Sequence, residues 1–159
     1  MVFEIVEIEE LSGKKAKIYS VMFAGDDLTL LDHFFEDNRE FELELREITA
    51  KLITMGNTTG CKAQFFRENE GAPGDGVVAL RVQQMRLYCL RYDNSCIFVG
   101  SGGIKPPGIR AYQEDSVLNA KAMQMREIAS CINRAIISRD LRISDDGSIK
   151  MSDYTELSI

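Results

Sequence analysis

The sequence predicts one α+β domain: an antiparallel sheet with an N-terminal helical hairpin and a long C-terminal helix. Two segments carry apolar residues at alternating spacings of four and three, which is typical of amphipathic helices. Short runs of branched and aromatic residues, separated by short turns, indicate neighbouring antiparallel strands. A chain of 159 residues, 45% of them hydrophobic, is long enough to bury the core of one such domain.

Two strands are predicted at the start, over residues 2–11 and 16–23, with a turn at 12–14. The first alternates apolar residues with glutamates. The second is apolar on both faces, with Ile18 and Met22 on one side and Tyr19 and Val21 on the other. A strand that is apolar on both sides is expected in a covered, central position of a sheet.

A helical hairpin is predicted next. Asp26 or Asp27 can cap the first helix, because an aspartate accepts hydrogen bonds from the free N–H groups of a first turn. The second helix follows a break at 38–39 and ends at Gly56, as a helix C-terminus commonly does. Its apolar stripe is strong and consists of Phe41, Leu45, Ile48, Leu52 and Met55.

The rest of the chain predicts four strands, at 61–67, 77–82, 85–92 and 96–100, and then a glycine- and proline-rich loop to residue 108. A long helix follows from a cap at Asp115 or Ser116 to about residue 140. Residues 1–142 are therefore interpreted as a single domain with an extra N-terminal strand. Residues 143–159 are interpreted as an acidic tail, either partly disordered or a short edge strand. The stripe of the long helix is Leu118, Ala122, Met125, Ala129, Ile132 and Ile136.

Charge is unevenly distributed. The net charge is −6, but residues 1–60 carry a net −7, residues 61–142 a net +4 and residues 143–159 a net −3. A basic middle between acidic ends indicates a local anionic partner rather than general nucleic-acid affinity. The chain has no apolar run long enough for a bilayer and no signal-peptide pattern, so a cytoplasmic protein without a membrane partner is expected.

Several common chemistries do not fit the residues. The only histidine, His33, lies in a predicted helix far in sequence from any plausible nucleophile, which argues against a serine–histidine–aspartate system. The cysteines show no metal-binding or redox spacing and are expected to be buried, reduced thiols. No metal site and no cofactor are therefore predicted. The four cysteines are Cys61, Cys89, Cys96 and Cys131.

The basic residues between positions 81 and 112 are the strongest functional signal. Strand alternation places Arg86, Tyr88 and Tyr92 on one face, and Arg81 comes close to Arg86 if the two strands pair through a turn at 83–84. Guanidinium groups bind phosphate and aromatic rings stack on bases, so this face is a candidate RNA-binding site. The same pattern also fits an exposed sheet face with solvated arginines.

This strand region resembles the RelE/ParE toxin superfamily, and most closely its phage-derived, HigB-like branch. The likeness rests on the runs 78–82 and 85–90, on the hydrophobic run 96–99, and on the loop that carries Lys105 before a final helix. It follows the order of elements over about residues 17–139. The resemblance implies a RelE-like fold and, in active members, metal-independent cleavage of ribosome-bound mRNA in which the ribose 2′-hydroxyl attacks the phosphate.

Carried over by residue, the resemblance implies catalytic roles for Arg81, Arg86 and Lys105 and for the downstream loop residues Arg110 and Tyr112. It also implies contacts between RNA and the neighbouring strand. The function expected is therefore the toxin of a toxin–antitoxin module, an endoribonuclease with an antitoxin, the ribosome and mRNA as partners. The residues expected to contact RNA are Tyr88, Arg91 and Tyr92.

Whether the protein is an enzyme stays open on the sequence alone. Ala79 occupies a position where some active relatives carry a second basic residue, and no histidine lies in the Lys105 loop. One alternative is a catalytically inactive RelE-like protein that binds a protein partner, such as an antitoxin or a gyrase-type target. Another is a structural protein of a mobile element.

Overall fold

The computed structural model describes residues 1–68, 76–108 and 115–159. In this part of the chain, seven strands form one sheet in the order β3-β4-β5-β6-β2-β1-β9, and β7 pairs with β8 in a separate hairpin. The strands are β1 (Val2–Glu7), β2 (Lys17–Phe23), β3 (Phe66–Glu68), β4 (Val77–Val82), β5 (Met85–Tyr92), β6 (Cys96–Ile104), β7 (Leu141–Ile143), β8 (Ile149–Met151) and β9 (Leu157–Ser158).

The sheet is mixed, so the predicted antiparallel sheet is wrong. β4, β5 and β6 are consecutive antiparallel neighbours, as their short turns predict. However, β2 lies beside β6 in parallel, with Lys17 opposite Cys96 and Tyr19 opposite Phe98. Short turns report only the pairing of strands that follow one another, and β2 reaches β6 through a long crossover. The prediction that β2 is central and covered is confirmed.

Among the described residues, three helices cover both faces of the sheet. Helices α1 (Leu30–Asp37) and α2 (Glu42–Thr54) follow β2, and a π-helical turn at Met55–Thr59 and a short 3₁₀ turn at Ala63–Phe65 come after them. Their apolar side chains pack on one face. Helix α3 (Ser116–Ile137) packs on the opposite face. The pair α1–α2 therefore belongs to the long connection between the parallel strands β2 and β6, which also includes β3, β4 and β5, and is not an N-terminal hairpin on an open sheet.

The helix ends follow the local sequence. Thr29 caps α1 in a reciprocal capping box with Asp32. The predicted caps, Asp26 and Asp27, lie just before this residue and do not cap the helix. Asp115 caps α3 by accepting from the N–H groups of Val117 and Leu118, both at 3.0 Å, as predicted. None of the helices described here has the length and apolar content needed to cross a bilayer.

Helix α3 is not the end of the fold. After it the chain forms the β7–β8 hairpin, and β9 then pairs with β1 at the edge of the large sheet. The Tyr19 hydroxyl donates to the Gly147 carbonyl at 3.1 Å and ties the hairpin to the central strand. Of the two alternatives for residues 143–159, the short edge strand is therefore the one observed.

The glycine-rich stretch predicted as a loop from residue 100 is strand in its first part, because β6 continues to Ile104. A side chain at Gly100 would collide with the Met125 sulfur, with a Cβ–Sδ distance of 2.7 Å. At Gly102 it would collide with the Arg86 carbonyl oxygen. These glycines let α3 and β5 approach the β6 backbone closely, so their role is packing and not the binding of a phosphate.

The inward stripe of α3 gives a direct test of this packing. Ile132 is fully buried, whereas Ile137 on the same helix is 82% exposed. Replacing Ile132 by alanine is expected to lower the free energy of unfolding by ~2–5 kcal/mol, because the lost methyl groups leave a cavity. The matched Ile137→Ala variant should change it by less than ~0.5 kcal/mol. Urea denaturation measures both, and similar values for the two variants would contradict the assigned helix orientation.

Candidate basic site

The candidate site lies at the tip of the β4–β5 hairpin. Arg81 and Arg86 are directly opposite each other across the two strands, as the sequence predicts. Directly opposed residues of an antiparallel pair project to the same face with Cβ atoms roughly 4.5–5.5 Å apart, and two like charges there destabilise the pair. Ala79 is two residues before Arg81 and Tyr88 two residues after Arg86, so all four side chains lie on one face of the sheet. Ala79 and Tyr88 pack with residues of α3, so this is the face that α3 covers.

The two arginines differ in exposure. Arg81 is exposed and has no ion-pair or hydrogen-bond partner among the described residues. Arg86 is only 3% exposed. Its Nη1 donates to the Gln83 carbonyl at 2.7 Å and to the Met85 carbonyl at 3.0 Å. Arg86 is thus a fixed charge that closes the hairpin turn, and Arg81 is the cation that solvent and ligands reach.

Lys105 joins this corner through its backbone. Its N–H donates to the Gln84 carbonyl in the hairpin turn at 2.6 Å, and the residue is buried. Gly103 of β6 lies opposite Arg86 of β5. Lys105 follows Gly103 by two residues and so lies beside the β4–β5 turn. The structure therefore brings Arg81, Arg86 and Lys105 to one end of the sheet, termed the basic corner.

Lys121 of α3 is a fourth cation near the basic corner, and the sequence analysis missed it. Its Nζ donates to the Gly102 carbonyl at 2.8 Å and lies 3.7 Å from an Asp37 carboxylate oxygen. A sequence signal existed, because Lys121 is three residues after Leu118 and so borders the apolar stripe of α3. A lysine at the edge of an apolar stripe is usually exposed to solvent, so the sequence alone did not indicate that Lys121 contacts a strand.

Arg110 and Tyr112 lie outside the described residues. Of the three residues expected to contact RNA, Tyr88 is 1% exposed and belongs to the core beneath α3. The open sheet face assumed for it does not exist, because α3 covers that face. Tyr92 is half-buried, and its hydroxyl donates to the Asn133 side chain of α3.

Arg91 points to the opposite face from Arg86, at the other end of the strand. Its Nε donates to the Cys61 carbonyl and its Nη2 to the Asn94 side chain, both at 2.6 Å. Arg91 thus holds the chain after the π-helical turn against the β5–β6 turn. Its contacts are structural, and its distance along the strand separates it from the basic corner.

His33 makes its side-chain hydrogen bond to Asp26 and not to a residue of the basic corner. His33 Nε2 is 2.7 Å from an Asp26 carboxylate oxygen, and this hydrogen bond holds the pKa of Asp26 below its usual value. Both groups are partly exposed and belong to the α1 region. Within residues 1–68, 76–108 and 115–159, no three histidine, cysteine, aspartate or glutamate side chains are grouped closely enough to hold a metal ion.

Comparison with protein-family models, curated proteins and solved structures finds no match to this chain. The function is therefore inferred from the geometry of the basic corner.

The cysteines provide a test of burial in the sheet. All four are free and buried. Burial, followed by the nearby Cys61, raises the pKa of Cys96 to about 12, and burial also raises the pKa values of Cys89 and Cys61. The reactive form of a cysteine is the thiolate, so Cys61, Cys89 and Cys96 should be unreactive at pH 8.

We expect Ellman's reagent at pH 8 to modify the native protein at least ~100-fold more slowly than the protein in 6 M guanidinium chloride, where burial is lost. The measurement is the absorbance of released thionitrobenzoate over time. Rapid, stoichiometric modification of one thiol in the native state would show that a cysteine is accessible.

Proposed function

We propose that the basic corner binds phosphates of single-stranded RNA, and that the protein is a metal-independent endoribonuclease, the toxin of a toxin–antitoxin module. The observation that carries this proposal is the unpartnered, exposed Arg81 directly opposite the immobilised Arg86. A bound phosphate would give the exposed Arg81 guanidinium a charged partner that it lacks among the described residues. Lys105 is a further cation at this corner, whereas the charge of Lys121 is offset by the Asp37 carboxylate 3.7 Å away.

The arrangement suits one chemical task. In RNA cleavage, the 2′-oxygen forms a bond to phosphorus while the bond to the 5′-oxygen breaks, which leaves a 2′,3′-cyclic phosphate and a 5′-hydroxyl end. Negative charge builds on the phosphate oxygens during this step. Arg81 would contact those oxygens, and the fixed Arg86 would stabilise their charge without reorganising. The proton of the 2′-hydroxyl leaves to a base, and the departing 5′-oxygen takes up a proton to become the 5′-hydroxyl; among the described residues no group is assigned to either transfer.

The fold does not support this proposal, because the sheet is mixed and not the expected antiparallel RelE-like sheet. The proposal therefore stands on the charge geometry of the corner and on the sequence resemblance of its strands. Its partners, an antitoxin, the ribosome and translated mRNA, follow from the same reasoning.

A second candidate function is a protein-binding module without catalysis, and a specific observation favours it. Arg86 donates two hydrogen bonds to backbone carbonyls, and Tyr88 and Lys105 are buried. Only Arg81 of the predicted site is exposed in the described residues. Such a corner could anchor an acidic segment of a partner such as an antitoxin, with an affinity that falls as salt rises.

Expression in bacteria separates the two functions. We expect induction of the wild-type protein to arrest growth and to produce 5′-hydroxyl cleavage ends in translated mRNA, mapped by primer extension. Arg81→Ala should lower cleavage by about 10²–10³-fold, by analogy with the loss of one oxyanion donor. The matched control is Arg46→Ala, which removes an exposed arginine of α2 that pairs with Glu42.

Circular dichroism should show that both variants remain folded, since Arg81 and Arg46 are exposed. If the wild-type protein cuts no message, or if Arg81→Ala cuts as well as wild type, the endoribonuclease proposal fails. Retention of a salt-sensitive protein partner that Arg81→Ala releases would then support the binding module.

A further inference from the structure

A cleft opens at the end of β5 that is remote from the basic corner. It lies where the β5–β6 turn, the last turn of α3 and the β7–β8 hairpin meet, and its volume is about 520 Å³. Binding sites for small molecules are concave and typically measure roughly 300–1,000 Å³. The cleft is therefore large enough to hold a small molecule.

The floor of the cleft is apolar and held in position. Tyr92, Ile136 and Ile143 form it, and all three are half-buried against the core on the α3 side of the sheet. The Tyr92 hydroxyl donates to the Asn133 side chain, and the Tyr92 ring packs edge-on against Phe98 with ring centroids 5.7 Å apart. These contacts fix the ring, so the floor offers a preformed apolar surface to the body of a ligand.

The rim of the cleft is acidic. Asp93 and Asp145 line it and are exposed, together with the half-buried Ser95 and Ser144. Among the described residues, neither carboxylate has an ion-pair or hydrogen-bond partner. The two turns that carry them are in direct contact, because a Cβ at Gly147 would lie 1.8 Å from the Ser95 carbonyl oxygen. The rim is thus formed by two turns that support each other.

None of the described residues that line the cleft is basic. Lys17 lies close to the rim, because its N–H donates to the Ser95 carbonyl at 2.8 Å, but it does not line the cleft. Its charge interacts with Asp146, which is also outside the cleft. The carboxylates of Asp93 and Asp145 therefore give the cleft a negative potential, and the ligand that complements it is a cation.

We propose that this cleft binds a small organic cation with an apolar body, an amine or a guanidine. The charged head pairs with Asp93 and Asp145, and the body covers the Tyr92 ring and the two isoleucines of the floor. Charge complementarity identifies the head, and the apolar floor identifies the body. The site is independent of the proposed ribonuclease function, because it uses none of the residues of the basic corner.

A nuclear magnetic resonance titration of the full chain with 4-phenylbutylamine tests the head and the body together. The amine should shift the amide signals of Asp93, Ser95 and Asp145 in a saturable way, with a dissociation constant of about 1 mM or lower. Two matched probes separate the contributions: 4-phenylbutanol has the same body without the charge, and methylamine has the charge without the body. Each should bind at least about 10-fold more weakly than the amine.

The double variant Asp93→Asn with Asp145→Asn removes the charge of the rim and keeps its size. Asparagine also tolerates the left-handed backbone at position 93, where φ is 56°. The double variant should bind 4-phenylbutylamine at least about 10-fold more weakly than wild type. The matched control is Asp153→Asn, which removes an exposed carboxylate outside the cleft and should leave the affinity unchanged.

Three results would overturn the proposal. The first is the absence of saturable shifts at the rim up to about 20 mM amine. The second is equal affinity for 4-phenylbutylamine and 4-phenylbutanol, which would show an apolar cleft that does not select a cation. The third is a double variant that binds the amine as tightly as wild type does.

Discussion

The parallel pairing of β2 and β6 is the constraint on which the rest of the structure depends. It extends over only three residue pairs, after which the strands separate. Two side chains then satisfy carbonyls of β6 that a strand partner would otherwise satisfy. Ser20 Oγ donates to the Val99 carbonyl at 2.7 Å, and Lys121 Nζ donates to the Gly102 carbonyl at 2.8 Å. Backbone acceptors that leave a ladder need such replacements when water is excluded.

This separation positions the helices on both sides. Ser20 is completely buried and also accepts a hydrogen bond from the Leu31 N–H at 3.2 Å, which sets the first turn of α1 beside β6. Lys121 links α3 to the same strand and approaches Asp37 at the end of α1. In open sheets, binding sites favour the region beyond the carboxyl ends of parallel strands. The basic corner lies at the carboxyl end of β6, beside the β4–β5 turn.

Covering both faces changes the meaning of the polar residues in the strands. On an open sheet, Arg86, Tyr88 and Tyr92 would form a ligand-binding surface. Beneath α3, Tyr88 becomes core and Tyr92 becomes a hydrogen-bond donor to α3. Arg86 keeps its charge but directs it at the carbonyls of its own turn. Only the end of the hairpin, where Arg81 extends into solvent, remains available to a ligand in the described residues.

Local patterns in the sequence were sufficient for much of this fold. The spacing of Leu45, Ile48 and Leu52 predicts α2, the stripe from Leu118 predicts α3, and the short turns predict the β4–β5–β6 pairing; all three are confirmed. The opposition of Arg81 and Arg86 follows from the same turn geometry. These features depend on residues close together in the chain.

The parallel β2–β6 pair could not be predicted in this way, because its partners are 79 residues apart and no turn connects them. The apolar residues on both faces of β2 were a signal for a doubly covered sheet, but they do not specify strand direction. The role of Lys121 depends on the same separation of strands. The glycines of β6 were read as a loop because a strand made of glycine has no side-chain alternation to reveal it.

The most direct test of the functional account is a nuclear magnetic resonance titration of the full chain with a short 2′-O-methyl RNA, which binds but cannot be cleaved by 2′-hydroxyl attack. The account predicts amide shifts centred on Arg81, Arg86, Gly103 and Lys105. These shifts should disappear in Arg81→Ala and weaken steeply as salt rises. Shifts that map to α2, shifts that persist unchanged in Arg81→Ala, or no shifts at millimolar RNA would contradict the assignment of the basic corner as a phosphate-binding site.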